Sequence, residues 1–150
     1  PCLCQNFIHF QVFKKIMIFY IGSQEWELKF VTQEEMNREW ETKFEPFIDG
    51  EFLLGLTIAT TSTILINKDF PRRMFNVFKH ELMHACIASY QLSKSDDANK
   101  KCYTEEDICN FMELCGDEYC RLVREFKPII EEEKNAIQVK ENRTTSTRRK

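Results

Sequence analysis

Five consecutive residues, His80-Glu81-Leu82-Met83-His84, combine two imidazoles and a carboxylate at a spacing with a mechanical meaning. Residues four apart lie on one face of an α-helix, so His80 and His84 can converge on a single cation while Glu81 projects to its side. Such a set suits Zn2+, with the imidazoles as ligands and the carboxylate placed to take a proton from water. The expected chemistry is zinc-assisted hydrolysis. Glu81 is the expected general base, and the expected substrate is a peptide or protein whose carbonyl the metal polarises.

A catalytic zinc needs three protein ligands and an open position, so a third ligand is sought downstream. Glu106 lies twenty-two positions beyond His84 (106 − 84), enough chain for a second helix to return beside the first. It is favoured because Cys109 and Asn110 follow it, and Asn110, one turn on, can hold a ligating imidazole by its other ring nitrogen. Glu105 is the alternative, since it falls nearer the apolar face marked by Ile108 and Met112. Both acids also suit the first turn of a helix on electrostatic grounds alone. The remaining histidine, His9, stands in an unpatterned terminus and is a poor third ligand. Tyr90, Tyr103 and Tyr119 carry the only phenols near these segments that are candidates to stabilise an oxyanion.

The elements that must position this set are legible from pattern. Residues 18–21 and 26–31 are β-rich and flank Gly22-Ser23-Gln24-Glu25, which reads as a hairpin. Thr32 followed by Glu35 makes a capping box, and Met36, Trp40 and Phe44 recur at intervals of four, so a helix is expected there, ending near Pro46. After a turn at Asp49-Gly50, residues 52–59 and 63–67 form a second expected hairpin through Thr60-Thr61-Ser62. From Arg72 to about Tyr90 nothing breaks a helix, and Pro71 suits its start. The polar run 92–101 reads as a surface loop. Thr104 and Asp107 resemble a second capping box, before a helix with Ile108, Phe111, Met112, Cys115, Tyr119, Leu122, Val123 and Phe126 at helical spacing, stopping at about Pro128. The expected fold is α+β, a small twisted sheet of short strands and hairpins packed on the His-bearing helix and on a following antiparallel helix.

The chain has 150 residues, 43% of them hydrophobic and 30% charged, which fits one soluble domain. The organisation expected is an N-terminal extension at 1–16, a single domain at 17–128 and a charged, flexible tail at 129–150. A net charge of −3 offers no broad basic surface, so nucleic acid is not an expected partner. Lys14 and Lys15 interrupt the apolar N-terminal stretch, which is too short to span a membrane and lacks the layout of a secretory signal. Seven cysteines, an odd count without paired C-x-x-C spacing, point to reduced thiols and a cytoplasmic setting.

With these residues in view, the chain resembles the small gluzincin-type metallopeptidases, in particular ImmA/IrrE-like proteins and the short H-E-L-x-H-A proteins of bacteriophages and their hosts. The resemblance runs from about Leu53 to Phe126. It is carried by Thr63-Ile64-Leu65-Ile66-Asn67-Lys68-Asp69, Lys79-His80-Glu81-Leu82-Met83-His84-Ala85 and Glu105-Glu106-Asp107-Ile108-Cys109-Asn110-Phe111, of which the middle run is specific and the flanks suggestive. It implies a minimal zincin: a small sheet backing the active helix, His80 and His84 as ligands, Glu81 as base and a glutamate of the next helix as third ligand. The chain departs from the pattern at Asn110, where an acid is usual, and at Glu113, where a small residue is usual. Two rival readings stay open: a zinc-bound binding or regulatory module whose coordination shell is closed by Cys86 or by both glutamates, and a metal-free domain acting through a partner surface.

Overall fold

The structure, a computed structural model, describes residues 10–12, 15–42, 52–92 and 105–147; for 10–12, 15, 105–106 and 141–147 it describes the backbone only. His9, Tyr103, the Thr104 cap, the Asp49-Gly50 turn and residues 93–101 of the expected loop lie outside this set. Five strands, β1 (Phe10–Val12), β2 (Lys15–Ile21), β3 (Gln24–Val31), β4 (Gly55–Ile58) and β5 (Thr63–Asn67), form one mixed sheet in the order β1-β2-β3-β5-β4. Among the described residues three helices accompany it: α1 (Gln33–Glu41), α2 (Met74–Ser89) and α3 (Glu105–Thr147). The fold is α+β.

Both expected hairpins are present. In the first, Ile21 pairs with Gln24 across a two-residue turn at Gly22 and Ser23, so the strands run closer to the turn than the β-rich runs alone indicate. Gly22 takes φ +58°, a conformation glycine adopts freely. The second hairpin pairs Ile58 with Thr63 and Gly55 with Ile66 through a short 3-10 turn at Ala59–Thr61. β3 and β5 run parallel, and α1 begins the crossover between them. Its start is fixed by the Thr32 capping box, with both reciprocal bonds in place.

Strand alternation divides the sheet into two faces. Met17, Phe19, Ile21, Trp26, Leu28, Ile64 and Ile66 pack with α2 and α3 in the main core, while Leu56, Ile58 and Leu65 pack under Met36 of α1 on the other side. Phe126 joins all three layers of the main core, its ring edge-on to Phe19 at 5.1 Å and tilted against Phe78 at 5.2 Å. Asn67 locks the end of β5. Its buried amide nitrogen donates to Gln33 Oε1 at 2.6 Å and to the Leu53 carbonyl at 2.8 Å, and its oxygen accepts from the Asp69 amide at 3.0 Å.

Two expectations need correction. The last helix does not stop at Pro128 but continues through it to Thr147, 43 residues and about 64 Å at 1.5 Å per residue. An interior proline removes one hydrogen bond and crowds the preceding turn, and the apolar residues beyond it hold the helix down: Ile130 is fully buried and Ile129 and Ile137 pack on the main core. The stretch before residue 17 also contributes to the sheet, since Phe10 pairs with Met17 and Val12 with Lys15. On α3 the buried face is Phe111, Cys115, Leu122, Phe126 and Ile130, whereas Ile108 and Met112 stand 58% and 53% exposed. They lie on the flank of the helix, rotated away from the positions that meet α2. Among the described residues no helix is long and apolar enough to cross a membrane.

Candidate functional site

α2 holds the motif in mid-helix because its opposite side is apolar. Met74, Phe78, Leu82, Ala85 and Cys86 are buried, which turns His80 and His84 outward, where both are exposed. The helix is tied to the sheet at its C-terminal end by Trp26, whose indole N–H donates to Ser89 Oγ at 2.8 Å.

The two imidazoles converge. Their Nε2 atoms lie 3.1 Å apart with ring planes at 76°. Two imidazole nitrogens bonded at 2.0–2.1 Å to a tetrahedral zinc stand about 3.3–3.4 Å apart, so the pair fits two positions of such a site within a few tenths of an ångström. The same separation also suits a hydrogen bond from one neutral ring to the other.

Glu81 sits differently from its neighbours. Only 7% of it is exposed, and its Oε2 lies 2.8 Å from the Thr57 hydroxyl, which is also 2.9 Å from the Glu81 carbonyl oxygen. Gly55, two residues before Thr57 on the same face of β4, opens the room for that carboxylate. Neither residue was singled out from the sequence. A glycine inside a β-rich run is the available signal, since it marks close approach of another group. A cleft of about 530 Å³ lies between strand and helix, lined by Phe52, Leu54 and Gly55 on one side and by Arg73, Asn76, Val77, His80 and Glu81 on the other.

α3 returns antiparallel to α2, as Lys127 lies over the Phe75 ring, the Tyr119 hydroxyl donates to the Lys79 carbonyl at 3.2 Å and Tyr90 reaches Glu118. Glu105 and Glu106 open α3, and their side chains lie outside the described residues. Cys115, nine residues further on (115 − 106), faces Cys86, so the backbone of Glu106 stands about 13 Å along the helix from that level. Cys109 and Asn110 are exposed. Among the described residues no group of three histidine, cysteine, aspartate or glutamate side chains is placed to hold a metal.

The remaining candidates are occupied elsewhere. The Tyr90 hydroxyl donates to Glu118 Oε2 at 2.7 Å, and that carboxylate also accepts the Gly22 amide at 3.1 Å; the bond to Glu118, with burial, pushes the phenol up to about 12. Burial also pushes the Cys86 thiol up to about 12 and the Cys115 thiol up to about 11. Cys86 thus points into the core as a neutral thiol. It is not directed at the histidines.

Compared with known protein families, with curated proteins and with solved structures, the chain has no significant match.

Proposed function

We propose that the protein is a zinc-dependent hydrolase, a metallopeptidase of the gluzincin, ImmA/IrrE-like kind, in which His80 and His84 hold the metal and Glu81 is the general base. The observation that carries this reading is the 3.1 Å convergence of the two Nε2 atoms on an exposed helix face beside a buried, hydrogen-bonded carboxylate. Held by His80 and His84, zinc would supply Lewis acidity to a carbonyl and lower the pKa of water towards neutrality. The protein's own contribution is Glu81, held by Thr57 and lining the cleft, where it accepts the proton released by the attacking water and passes it to the leaving amine.

The shape of the cleft favours an extended peptide. Among the described residues β4 is an edge strand. The Leu54 carbonyl accepts from the Asn67 amide, so by ladder alternation the amides and carbonyls of Leu56 and Ile58 turn towards β5 and those of Gly55 and Thr57 turn outward. A substrate strand added along that edge would lie over α2 with its backbone beside Glu81. We place the protein in the cytoplasm, a setting that suits the buried thiols of Cys86 and Cys115.

The third ligand is assigned to the acidic first turn of α3, Glu106 with Glu105 as the alternative. With α3 antiparallel to α2, that turn stands about 13 Å from the level of Cys86, on the side away from His80 and His84, so the assignment is tested separately. Zinc counted per chain should be about one in the wild type and almost none in His84→Ala; Glu106→Gln and Glu105→Gln then identify which acid changes the affinity. Glu81→Gln should keep the metal and lose on the order of a hundredfold or more in peptide hydrolysis. Full turnover in that variant removes the base, and zinc without hydrolysis in the wild type turns the reading to a binding module.

A further inference from the structure

The cleft beside the motif has two ends of different character. Near β4, Glu81 is engaged by Thr57. Towards the start of α2, the lining is Asn76 and Arg73, one and two turns before His80 on the same side of the helix. Both are exposed. Among the described residues the Arg73 guanidinium has no ion-pair partner, and Glu81 is the only acid in the lining. Arg73 occupies the N-cap position of α2 without a side-chain capping bond, so its side chain is not needed to start the helix.

We infer that Arg73, with Asn76 beside it, forms a subsite for a carboxylate of the bound peptide, which makes this protein selective for substrates carrying an acidic group two to three residues from the reacting carbonyl. The inference rests on the peptidase reading and adds its substrate class. The register follows from geometry. Seven residues of helix separate Arg73 from His80, about 10 Å, and an extended peptide covers that length in about three residues at 3.3 Å each. Arginine presents a planar fork matched to a carboxylate, and an amide one turn away can donate to the same group or to the neighbouring peptide carbonyl. The carboxylate has two sources, an acidic side chain within the peptide or a free C-terminus.

Because Arg73 is exposed, its effect should be modest and salt-sensitive, about three- to fivefold in affinity at low ionic strength. The test uses three labelled peptides of one sequence, offered to the full zinc-supplied chain. One is blocked at both ends with glutamate three residues from the centre, the second has glutamine there, and the third has glutamine and ends there in a free carboxylate. Either carboxylate peptide should bind three- to fivefold tighter than the neutral one, and the arm that does so identifies the source. The preference should vanish in Arg73→Ala, reverse in Arg73→Glu and persist in Arg72→Ala, whose exposed side chain does not line the cleft. Equal affinities for all three peptides, no saturable binding, or a preference that survives Arg73→Glu overturns the subsite. Zinc is counted on the same samples: one zinc per chain without charge preference sinks the subsite alone, whereas absence of zinc sinks the peptidase reading.

Discussion

Gly55 and Glu81 approach so closely that a methyl group on the glycine would lie 2.8 Å from Glu81 Oε1, 2.7 Å from its Cγ and 2.5 Å from Val77 Cγ1. The edge strand is thereby laid against the motif helix at a distance only glycine permits, and the two walls of the cleft are set by one residue's missing side chain. The backbone at Gly55 is ordinary β-strand, so the requirement is for space and not for an unusual dihedral.

Gly55→Ala should therefore act on stability and on the site together. Forcing Val77 and Glu81 aside is an overpacking change costing about 1–3 kcal/mol, and displacement of the Glu81 carboxylate by a fraction of an ångström to an ångström should lower hydrolysis by roughly ten- to a hundredfold. Urea unfolding and peptide turnover on the same preparation check both. A variant as stable and as active as the wild type would show that β4 does not rest on α2 this tightly.

Thr57 offers a cleaner separation. Thr57→Val keeps the shape but removes the hydroxyl that meets both the Glu81 side chain and its carbonyl. Loss of that partner from a buried carboxylate should cost about 1–3 kcal/mol. Zinc content should be unchanged and turnover reduced, by less than in Glu81→Gln, while Thr57→Ser should restore both. Failure of serine to rescue would assign the effect to packing and not to the hydroxyl.

These two residues also mark the limit of what pattern reveals. The motif, the capping box at Thr32, both hairpins and the α+β class follow from local spacing and turn chemistry, which act over a few residues. Contacts between Gly55, Thr57 and Glu81 join positions twenty-four or more apart in the chain (81 − 57), and no local period reports them. Helical phase is set by tertiary contacts as well. Ile108 and Met112 read as members of the same apolar stripe as Phe111 and Cys115, yet only the latter two are buried, because tertiary packing and not hydrophobicity alone selects the face. Pro128 reads locally as a stop signal, but burial of the following turns outweighs the missing hydrogen bond and the crowding of the ring against the preceding turn.

Alkaline pH should loosen the fold in a defined order. Tyr90 titrates near 10 when unfolded and is pushed up to about 12 in the fold by its bond to Glu118. A raised pKa stabilises the folded state fully below the unfolded value, and that contribution is lost as pH rises from about 10 through about 12. Cys86 and Cys115, ordinarily near 8.5 and raised by burial to about 12 and about 11, add losses beginning from about pH 9. Stability measured by urea midpoint should fall from pH 9 upwards, and Tyr90→Phe should flatten the part of the curve above pH 10 without altering its onset. An unchanged slope above pH 10 in that variant would remove the Tyr90–Glu118 contribution.

The helix beyond Pro128 yields the sharpest contrast between a tail and a structural element. A frayed tail predicts that every truncation there is neutral, whereas the fold buries Ile130 completely and leaves Val139 50% exposed on the same helix. Ile130→Ala removes three carbons of packing from beside Phe126 and should cost about 2–4 kcal/mol, the range for large-to-small changes in a core that relaxes only in part. Val139→Ala should stay within about 0.5 kcal/mol, because its side chain has little cover to lose. Both variants keep the helix propensity of the segment or improve it, so a difference between them reports burial and not helix formation. Equal, negligible effects in urea unfolding would mean that the part of α3 beyond Pro128 does not belong to the core, and a cost at both positions would mean that the exposed side of the helix is covered in solution by something beyond the described residues.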